Sequence, residues 1–314
     1  MSDARRSGAV GGRRSAGPVL DASFVRRLAG IALRVQRASA AAGERPGARR
    51  VPAADFIDHR PYTPGDDLRH VDWHAAARHD QVSVKLGRAQ DAADVRLLLD
   101  QSPSMSALPD KQRASCELAA ALGWLALVRG DRLSAAGFPS AAERWGPASG
   151  AARAPQWLAH IRRWSSDDPV AAPDGEHGLA ASARALMAAA PGGGLLLILS
   201  DLWRCDDLAA ALQWAPAPRW RAIVLQVLDR SEIEPPQMGP VTLVDAETGQ
   251  RQELVVDEAV QAAYGEAFRG RQARLHALCA ARGAQLVTIP ADWPLEQQVL
   301  PFLRRRSVLA ARRW

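Results

Sequence analysis

The sequence has few cysteines, few aromatic residues and no long uninterrupted apolar run. Its three cysteines are far apart and none forms a C-x-x-C pair, which is typical of reduced thiols in a cytosol rather than of a disulfide framework. The N-terminus has arginines but no apolar core of the kind that a secretory signal needs. No window reaches the roughly 18 apolar residues of a membrane helix. The sequence therefore predicts a cytoplasmic protein without a membrane span.

Lysine is also scarce, although the chain is basic, with a formal net charge of +6. Of the 40 lysine and arginine residues, two are lysines, Lys85 and Lys111, and the others are arginines. Much of the excess lies near the two ends, within residues 5–14 and 304–313. Such ends are typical of solvated basic tails, while a phosphate or acidic-membrane contact is the alternative. We expect no specific nucleic-acid partner.

Changes in composition divide the chain into four segments. Residues 1–18 are rich in Gly, Ser, Ala and Arg and are expected to form a disordered basic tail. Residues 19–92 are predicted to contain a helix over Ala22–Ala42 and, after a Gly/Pro break, a polar turn-rich stretch. Residues 93–292 carry the main domain, and residues 293–314 are predicted to form a C-terminal helix and a basic tail.

The main domain alternates apolar strands with helices. "ADVRLLLD" and "GGGLLLILSD" are continuous apolar runs of the kind found where both faces of a strand are covered. Helical patterns follow, including Lys111–Arg129, Gly178–Ala190, Asp206–Trp214 and Asp257–Arg282, and "VTLVDAETGQRQELVV" indicates a small hairpin. This alternation predicts an α/β fold with a doubly wound, mainly parallel, Rossmann-like sheet.

Two of these apolar runs end on aspartates, and one of them continues into a D-x-S-x-S motif. Its polar members are Asp100, Ser102 and Ser104, and Asp201 ends the other run. Ligands of doubly wound sheets sit beyond the carboxyl ends of the strands, so we expect these side chains to converge. Carboxylate and hydroxyl oxygens are the ligands that Mg²⁺ prefers. The pattern favours a metal site, and the alternative is a turn that caps the next helix.

The segment "RPYTPGDDLRHVDWHAAARHDQVSVK", Arg60 to Lys85, resembles the signature of the bacterial and archaeal domain of unknown function 58 family. That signature reads R-x-Y-x-x-G-D-x-x-R-x-I-D-W-x-x-x-A-R. The matching residues are Arg60, Tyr62, Gly65, Asp66, Arg69, Asp72, Trp73, Ala77 and Arg78. The D-x-S-x-S motif with a later "SD" is similar to the von Willebrand factor A domain and its metal-ion-dependent adhesion site (MIDAS). The resemblance therefore implies a von Willebrand factor A-like domain that follows the signature module.

The resemblance also implies roles for individual residues. Ser102 and Ser104 would bind Mg²⁺ (or Mn²⁺) directly, Asp100 would hold it through water or by orienting the ligands, and Asp201 would be the later aspartate. The adhesion site usually includes a threonine from the intervening loop, and "PDGEHGLAASARAL" has none, offering Asp174, Glu176 and His177 instead. Such a site clamps a partner's carboxylate and is not catalytic.

The same resemblance implies a partner, because members of the family are commonly encoded beside MoxR-type AAA+ ATPases. The chain has no G-x-x-x-x-G-K-[ST] phosphate loop, so ATP would be hydrolysed by that partner. We therefore expect a non-catalytic adaptor with a chaperone-like or complex-assembly role, acting on an unknown client protein.

Two other function classes stay open at this point. A metal-dependent hydrolase would use the two strand-end aspartates with His70 and His74, although no H-E-x-x-H motif is present. A nucleic-acid binder would use the arginine-rich ends. Residues 60–78 also contain paired charges around Tyr62 and Trp73, for which an ion-pair patch is the expected role. Trp203 is placed to flank the binding crevice.

Overall fold

The computed structural model describes residues 92–139, 144–165, 178–188, 192–204, 206–234 and 237–309 with their side chains, and residue 166 by its backbone. It also describes the backbone of the strand residues at 31–33, 56–61, 83–87 and 310–311. One compact unit comprises Met1–Gln36 and Ala93–Ala311, and the other comprises Arg37–Ala92 and Arg312–Trp314. The basic tail at 1–18 and nearly all of the signature segment lie outside the described residues.

The described strands and helices alternate along the main unit. The strands are β1 (Ile31–Leu33), β2 (Phe56–Pro61), β3 (Ser83–Gly87), β4 (Asp94–Asp100), β5 (Arg132–Phe138), β6 (Arg144–Ala148), β7 (Gly194–Ser200), β8 (Trp220–Leu228), β9 (Gly239–Val244), β10 (Arg251–Val256), β11 (Gln285–Pro290) and β12 (Leu309–Ala311). The α-helices are α1 (Pro103–Ala107), α2 (Pro109–Val128), α3 (Ala154–Ser166), α4 (Leu179–Met187), α5 (Leu208–Leu212), α6 (Arg230–Ile233), α7 (Glu258–Ala281) and α8 (Leu300–Arg305). A 3₁₀ turn at Ala151–Arg153 and a π-helix at Leu295–Val299 complete the set.

Six strands form the central sheet in the order β11-β8-β7-β4-β5-β6. Strands β4, β5, β7, β8 and β11 run parallel, and β6 lies antiparallel at the edge beside β5. Counting only these six along the chain, the order is 6-5-4-1-2-3, the arrangement of doubly wound nucleotide-binding sheets read from the other edge. The predicted α/β fold class is therefore confirmed.

Helices cover both faces of the sheet, which explains the uninterrupted apolar runs. Leu97 and Leu99 of β4 pack in one core layer with α2, α3 and α8, while Leu98 packs in the other with α4, α5 and α7. All seven residues of β4 and of β7 are buried. Because successive side chains of a strand point to opposite faces, a strand covered on both sides is mostly apolar, and its buried charges need partners. In β4, Asp94 is paired with Arg96 and Arg132.

Smaller pairings lie outside the sheet. Strands β9 and β10 form the predicted hairpin, with Val244 opposite Arg251 at its tip. Strand β3 pairs antiparallel with β2, which lies in the stretch that was predicted to be only polar and turn-rich. The predicted long helix at Asp257–Arg282 is confirmed as α7, whereas the helix expected at Asp206–Trp214 is limited to α5.

The prediction of a helix over Ala22–Ala42 is wrong at its centre. Residues Ile31–Leu33 form β1, which pairs antiparallel with β12 near the other end of the chain. The segment after α8, which was predicted to be a basic tail, also contains a strand, because Leu309–Ala311 forms β12. Helix propensity is a weak preference that a distant partner strand can override by satisfying the backbone hydrogen bonds.

Among the described residues, no helix is both long enough and apolar enough to cross a membrane.

A close contact between α2 and α3 sets the packing of the larger core layer. Trp157 of α3 is fully buried, donates from its indole N–H to the Ala120 carbonyl at 3.1 Å, and lies over Gly123. A Cβ added at Gly123 would lie 2.4 Å from ring atoms of Trp157. Glycine is therefore required there for close helix packing, even though it is a poor helix former.

We expect Gly123→Ala to lower the free energy of unfolding by about 1–3 kcal/mol, because the new methyl group overpacks a full core. The matched control is Gly270→Ala in α7, where the added Cβ has its nearest contact at 3.6 Å, with the Arg274 guanidinium. That change should stabilise the protein by up to about 1 kcal/mol through helix propensity. Urea unfolding of both variants tests the packing, and equal responses would contradict it.

Candidate functional site

The predicted site residues lie at the point where the strand order of the sheet reverses. Strand β4 is the first of the central strands in the chain and β7 is the fourth, and the two are neighbours in the sheet. Asp100 is the last residue of β4, and Asp201 directly follows β7. In doubly wound sheets the connections from two such strands leave to opposite faces, which opens a crevice at their carboxyl ends.

The D-x-S-x-S loop is folded around the Asp100 carboxylate. One of its oxygens, Oδ1, accepts the Ser102 backbone N–H at 2.9 Å, and the other accepts the Ser200 hydroxyl. Asp100 and Ser102 are buried, at 4% and 2% exposed, and Ser104 is half-buried. Pro103 then begins α1, consistent with the preference of proline for the first turn of a helix. The carboxylate thus holds the start of the loop at Ser102 and ties it to the end of β7 at Ser200.

The two serine hydroxyls lie close enough together to share one cation. Ser102 Oγ and Ser104 Oγ are hydrogen-bonded to each other at 3.0 Å. Two oxygens at about 2.1 Å from Mg²⁺ and at right angles to each other are about 3.0 Å apart, so these hydroxyls fit adjacent positions of an octahedron. Together with Asp100 they form a donor set of oxygens only. Asp100, Ser102 and Ser104 therefore fit a magnesium or manganese ion.

Asp201 is also brought to this edge, but its carboxylate is already paired. Its Oδ2 accepts from the Lys111 ammonium at 2.7 Å, and its Oδ1 accepts the Trp203 backbone N–H at 3.0 Å. Asp201 and Lys111 are both almost completely buried, at 1% and 0% side-chain exposure. Asp201 thus lies at the predicted strand end. One of its oxygens is occupied by the Lys111 ammonium and the other by a backbone N–H.

Lys111 was not identified from the sequence, although it is one of two lysines in a chain rich in arginine. It is the third residue of α2, and its ammonium also contacts Glu232 Oε1 at 2.7 Å. A compact ammonium at the end of a flexible stem reaches into a closed space that a planar guanidinium does not fit equally well. The scarcity of lysine sets Lys111 apart in the sequence, but it does not indicate which carboxylates Lys111 contacts.

Glu232 is oriented by the local fold of α6. Its Oε2 accepts the Asp229 backbone N–H at 2.8 Å in a capping box, while its Oε1 accepts from both Lys111 and the Trp203 indole N–H, the latter at 2.7 Å. Tyr264 of α7 donates its hydroxyl to the Glu232 carbonyl at 2.6 Å. Trp203, expected at the crevice, is held against Glu232 and so borders the buried ion pairs.

Burial is the main influence on the ionisation of Asp201. Burial and the neighbouring Asp100 carboxylate raise the pKa of Asp201 above its ordinary value, and Lys111 opposes this shift without cancelling it. A further cation near Asp100 would stabilise both carboxylates.

The β9–β10 hairpin contributes a residue that the sequence did not indicate. Glu247, at the hairpin tip, accepts the Ser104 backbone N–H through Oε1 at 3.1 Å. The two residues are 143 positions apart in the chain. No local pattern identifies such a contact, because it depends on where the hairpin is placed.

A cavity behind the D-x-S-x-S loop is lined in part by Asp100, Ser102, Ser115 and Cys116. Burial raises the pKa of the Cys116 thiol to about 12, so this thiol is protonated and a poor nucleophile at neutral pH.

Several residues considered in the sequence lie outside the described part of the chain. They are His70, His74, Asp174, Glu176, His177 and the body of the Arg60–Arg78 segment. Within the described ranges, no group of three or more His, Cys, Asp or Glu side chains is arranged to hold a metal ion. A cation at this edge would therefore depend on the serine hydroxyls.

Comparison with known proteins identifies relatives over most of the chain. The family model "Protein of unknown function DUF58" matches residues 58–274. The uncharacterized proteins Rv1480 of Mycobacterium tuberculosis and Mb1516 of Mycobacterium bovis are each 29% identical over 265 residues, covering 82% of this chain and 82% of the relative. MAV169 of Mycobacterium avium is 30% identical over 121 residues, or 38% of this chain and 71% of that protein. The resemblance drawn from the signature segment is confirmed.

Two solved structures show a weaker likeness. The conserved hypothetical protein BatB from Bacteroides thetaiotaomicron is 14% identical with a TM-score of 0.39, covering 69% of this chain and 98% of that one. A von Willebrand factor type A protein from Catenulispora acidiphila is 16% identical with a TM-score of 0.32, covering 47% of this chain and 35% of that one. The fold class of the present chain follows from its own strand order.

We expect Lys111→Met to lower the free energy of unfolding by about 3–5 kcal/mol, because it leaves Asp201 and Glu232 buried without their cation. The double variant Lys111→Met/Asp201→Asn should recover part of that loss. Arg113→Met is the matched control on the same helix, since its ion pair with Asp110 is exposed and should contribute less than about 1 kcal/mol. Guanidinium unfolding of the variants measures the difference, and similar losses for Lys111→Met and Arg113→Met would contradict this assignment.

Proposed function

We propose that this chain, which belongs to the DUF58 family of proteins of unknown function, is a non-catalytic adaptor that binds another protein at the carboxyl edge of its sheet. The observation that carries the proposal is the placement at the switch point of two adjacent hydroxyls, those of Ser102 and Ser104, in a loop whose backbone is held by the Asp100 carboxylate. This is where ligands of doubly wound sheets bind. A polar edge of this kind is suited to recognise a charged group of a partner.

The proposed docking is assisted by Mg²⁺ (or Mn²⁺) held by Asp100, Ser102 and Ser104. Asp201 contributes negative charge near the cation without binding it, because its two oxygens accept hydrogen bonds from the Lys111 ammonium and the Trp203 backbone N–H. Magnesium usually keeps several water ligands in protein sites, so one position can exchange water for a carboxylate of a partner. This is the MIDAS-type arrangement that the resemblance to von Willebrand factor A domains implies.

The proposed partner is a MoxR-type AAA+ ATPase, and the proposed role is chaperone-like or in complex assembly. The family resemblance supports this partner, and the absence of a phosphate loop from the sequence is consistent with ATP hydrolysis by the partner. The client protein would be brought to the ATPase by the adaptor. A cytoplasmic location is part of the same proposal.

The chemistry of the edge favours binding over catalysis. Lys111 is engaged by two carboxylates, and the Cys116 thiol is protonated at neutral pH. A general base or nucleophile needs a free, correctly ionised group within reach of a substrate. Neither Lys111 nor Cys116 meets that requirement.

The cation is tested by calorimetric titration of the protein with Mg²⁺ and Mn²⁺. We expect saturable binding that Ser102→Ala abolishes, because the change removes one of the two paired hydroxyls. Ser106→Ala is the matched control in α1, since its hydroxyl donates to the Pro103 carbonyl at 3.0 Å and lies outside the donor set. Absence of binding at millimolar metal concentration, or equal affinity in both variants, would refute the cation site.

The partner is tested by capture of a purified MoxR-type ATPase from the same genome on immobilised protein. We expect capture that falls after EDTA treatment and in Ser102→Ala, with no hydrolysis of phosphate or amide substrates by this chain alone. Substrate turnover that is lost in Asp100→Ala would instead support a metal-dependent hydrolase. Nucleic-acid affinity that falls steeply with salt and survives Asp100→Ala would support a nucleic-acid binder.

A further inference from the structure

The tip of the β9–β10 hairpin is shaped to hold one side chain in a fixed direction. The Asp245 carboxylate accepts the backbone N–H groups of Glu247 at 2.9 Å and of Thr248 at 2.8 Å. Gly249 closes the turn with φ of 71°, a conformation that favours glycine. The backbone around Glu247 is therefore held by the turn itself.

Glu247 is the half-buried residue of an otherwise exposed tip. Residues 242–246 and 248–250 are exposed, whereas the Glu247 side chain extends to Ser104 and accepts its backbone N–H. Glu253, on the same hairpin, is exposed to solvent. The carboxylate of Glu247 therefore adjoins the second serine of the D-x-S-x-S motif.

Several carboxylates are linked to one another at this edge. Four carboxylates are linked through the loop and the buried ion pairs, and these are Asp100, Asp201, Glu232 and Glu247. Two cationic side chains accompany them: Lys111, and Arg271, which lies over the Trp203 ring at 4.7 Å and donates to the Leu202 carbonyl. Carboxylates close to one another repel, so a cation bound next to Glu247 would be attracted by several negative charges at once.

The bonding of Glu247 leaves it able to take part in such a site. A carboxylate has two oxygens and about four acceptor positions, and the contact with Ser104 uses one of them. Hard cations bind carboxylates together with hydroxyls and water. The hairpin thus adds the donor type that complements two neutral hydroxyls.

We infer that Glu247 is a ligand of the cation held by Asp100, Ser102 and Ser104, supplied by the hairpin. This inference rests on the proposed function, because it concerns the same site. The cation then joins two distant parts of the chain, the loop after β4 and the turn between β9 and β10. Loading of the site tightens the hairpin against the sheet edge.

The test is a calorimetric Mg²⁺ and Mn²⁺ titration of full-length Glu247→Gln beside Glu253→Gln. Glutamine keeps an oxygen that accepts the Ser104 N–H, so the variant removes the charge and retains the structural contact. We expect metal affinity to fall at least about tenfold in Glu247→Gln, as for other changes around metal ligands, and to stay unchanged in Glu253→Gln. Circular dichroism and urea unfolding without metal should be the same for both.

Hydrogen exchange of residues 239–256 gives a second measurement. In the wild-type protein Mg²⁺ should slow exchange in the hairpin, and in Glu247→Gln it should not. If the wild-type protein binds metal and both variants bind it with equal affinity, Glu247 is not a ligand, whereas the cation site of the proposed function stands. If the wild-type protein binds no metal, the cation site fails, and the inference fails with it.

Discussion

The architecture of the carboxyl edge depends on a buried ammonium between two carboxylates. Lys111 joins the start of α2 to the end of β7 through Asp201 and to α6 through Glu232, with 2.7 Å contacts to both. Isolated charges are not stable in a protein interior, so an aspartate this deeply buried requires a cation nearby. The ion pair between Lys111 and Asp201 therefore allows a buried carboxylate at the end of β7, next to the D-x-S-x-S loop.

Asp100 and Asp201, which the sequence pattern assigns to one metal site, have different roles in the structure. Asp100 organises the serine loop through its contacts with Ser102 and Ser200, while Asp201 anchors the network of Lys111, Trp203 and Glu232. The outer side of the edge therefore carries the half-buried Ser104 and Glu247, with Ser102 buried next to them, and the charged pairs support it from within. A rigid supporting layer holds surface ligands in place, which is what selective binding of an ion or a partner carboxylate needs.

The hairpin extends the site beyond the sheet. A two-stranded hairpin is marginally stable by itself, and here its tip meets the strand-end loop through Glu247. The stretch between β6 and β7 contains no threonine, so it does not supply the threonine ligand that the resemblance implies. In our interpretation a carboxylate from the other end of the domain completes the donor set.

The sequence by itself determined the strand-helix alternation and the positions of Asp100, Ser102, Ser104 and Asp201 at strand ends, because buried strands and turn residues have local patterns. It also identified the family, through a signature that lies before the domain. Three features needed the tertiary structure: the pairing of β1 with β12, the burial of Lys111 between two carboxylates, and the contact of Glu247 with Ser104. Each joins residues that are far apart in the chain, and no periodicity or spacing encodes which distant groups meet. Folding decides those contacts by the need to pair every buried charge and backbone group.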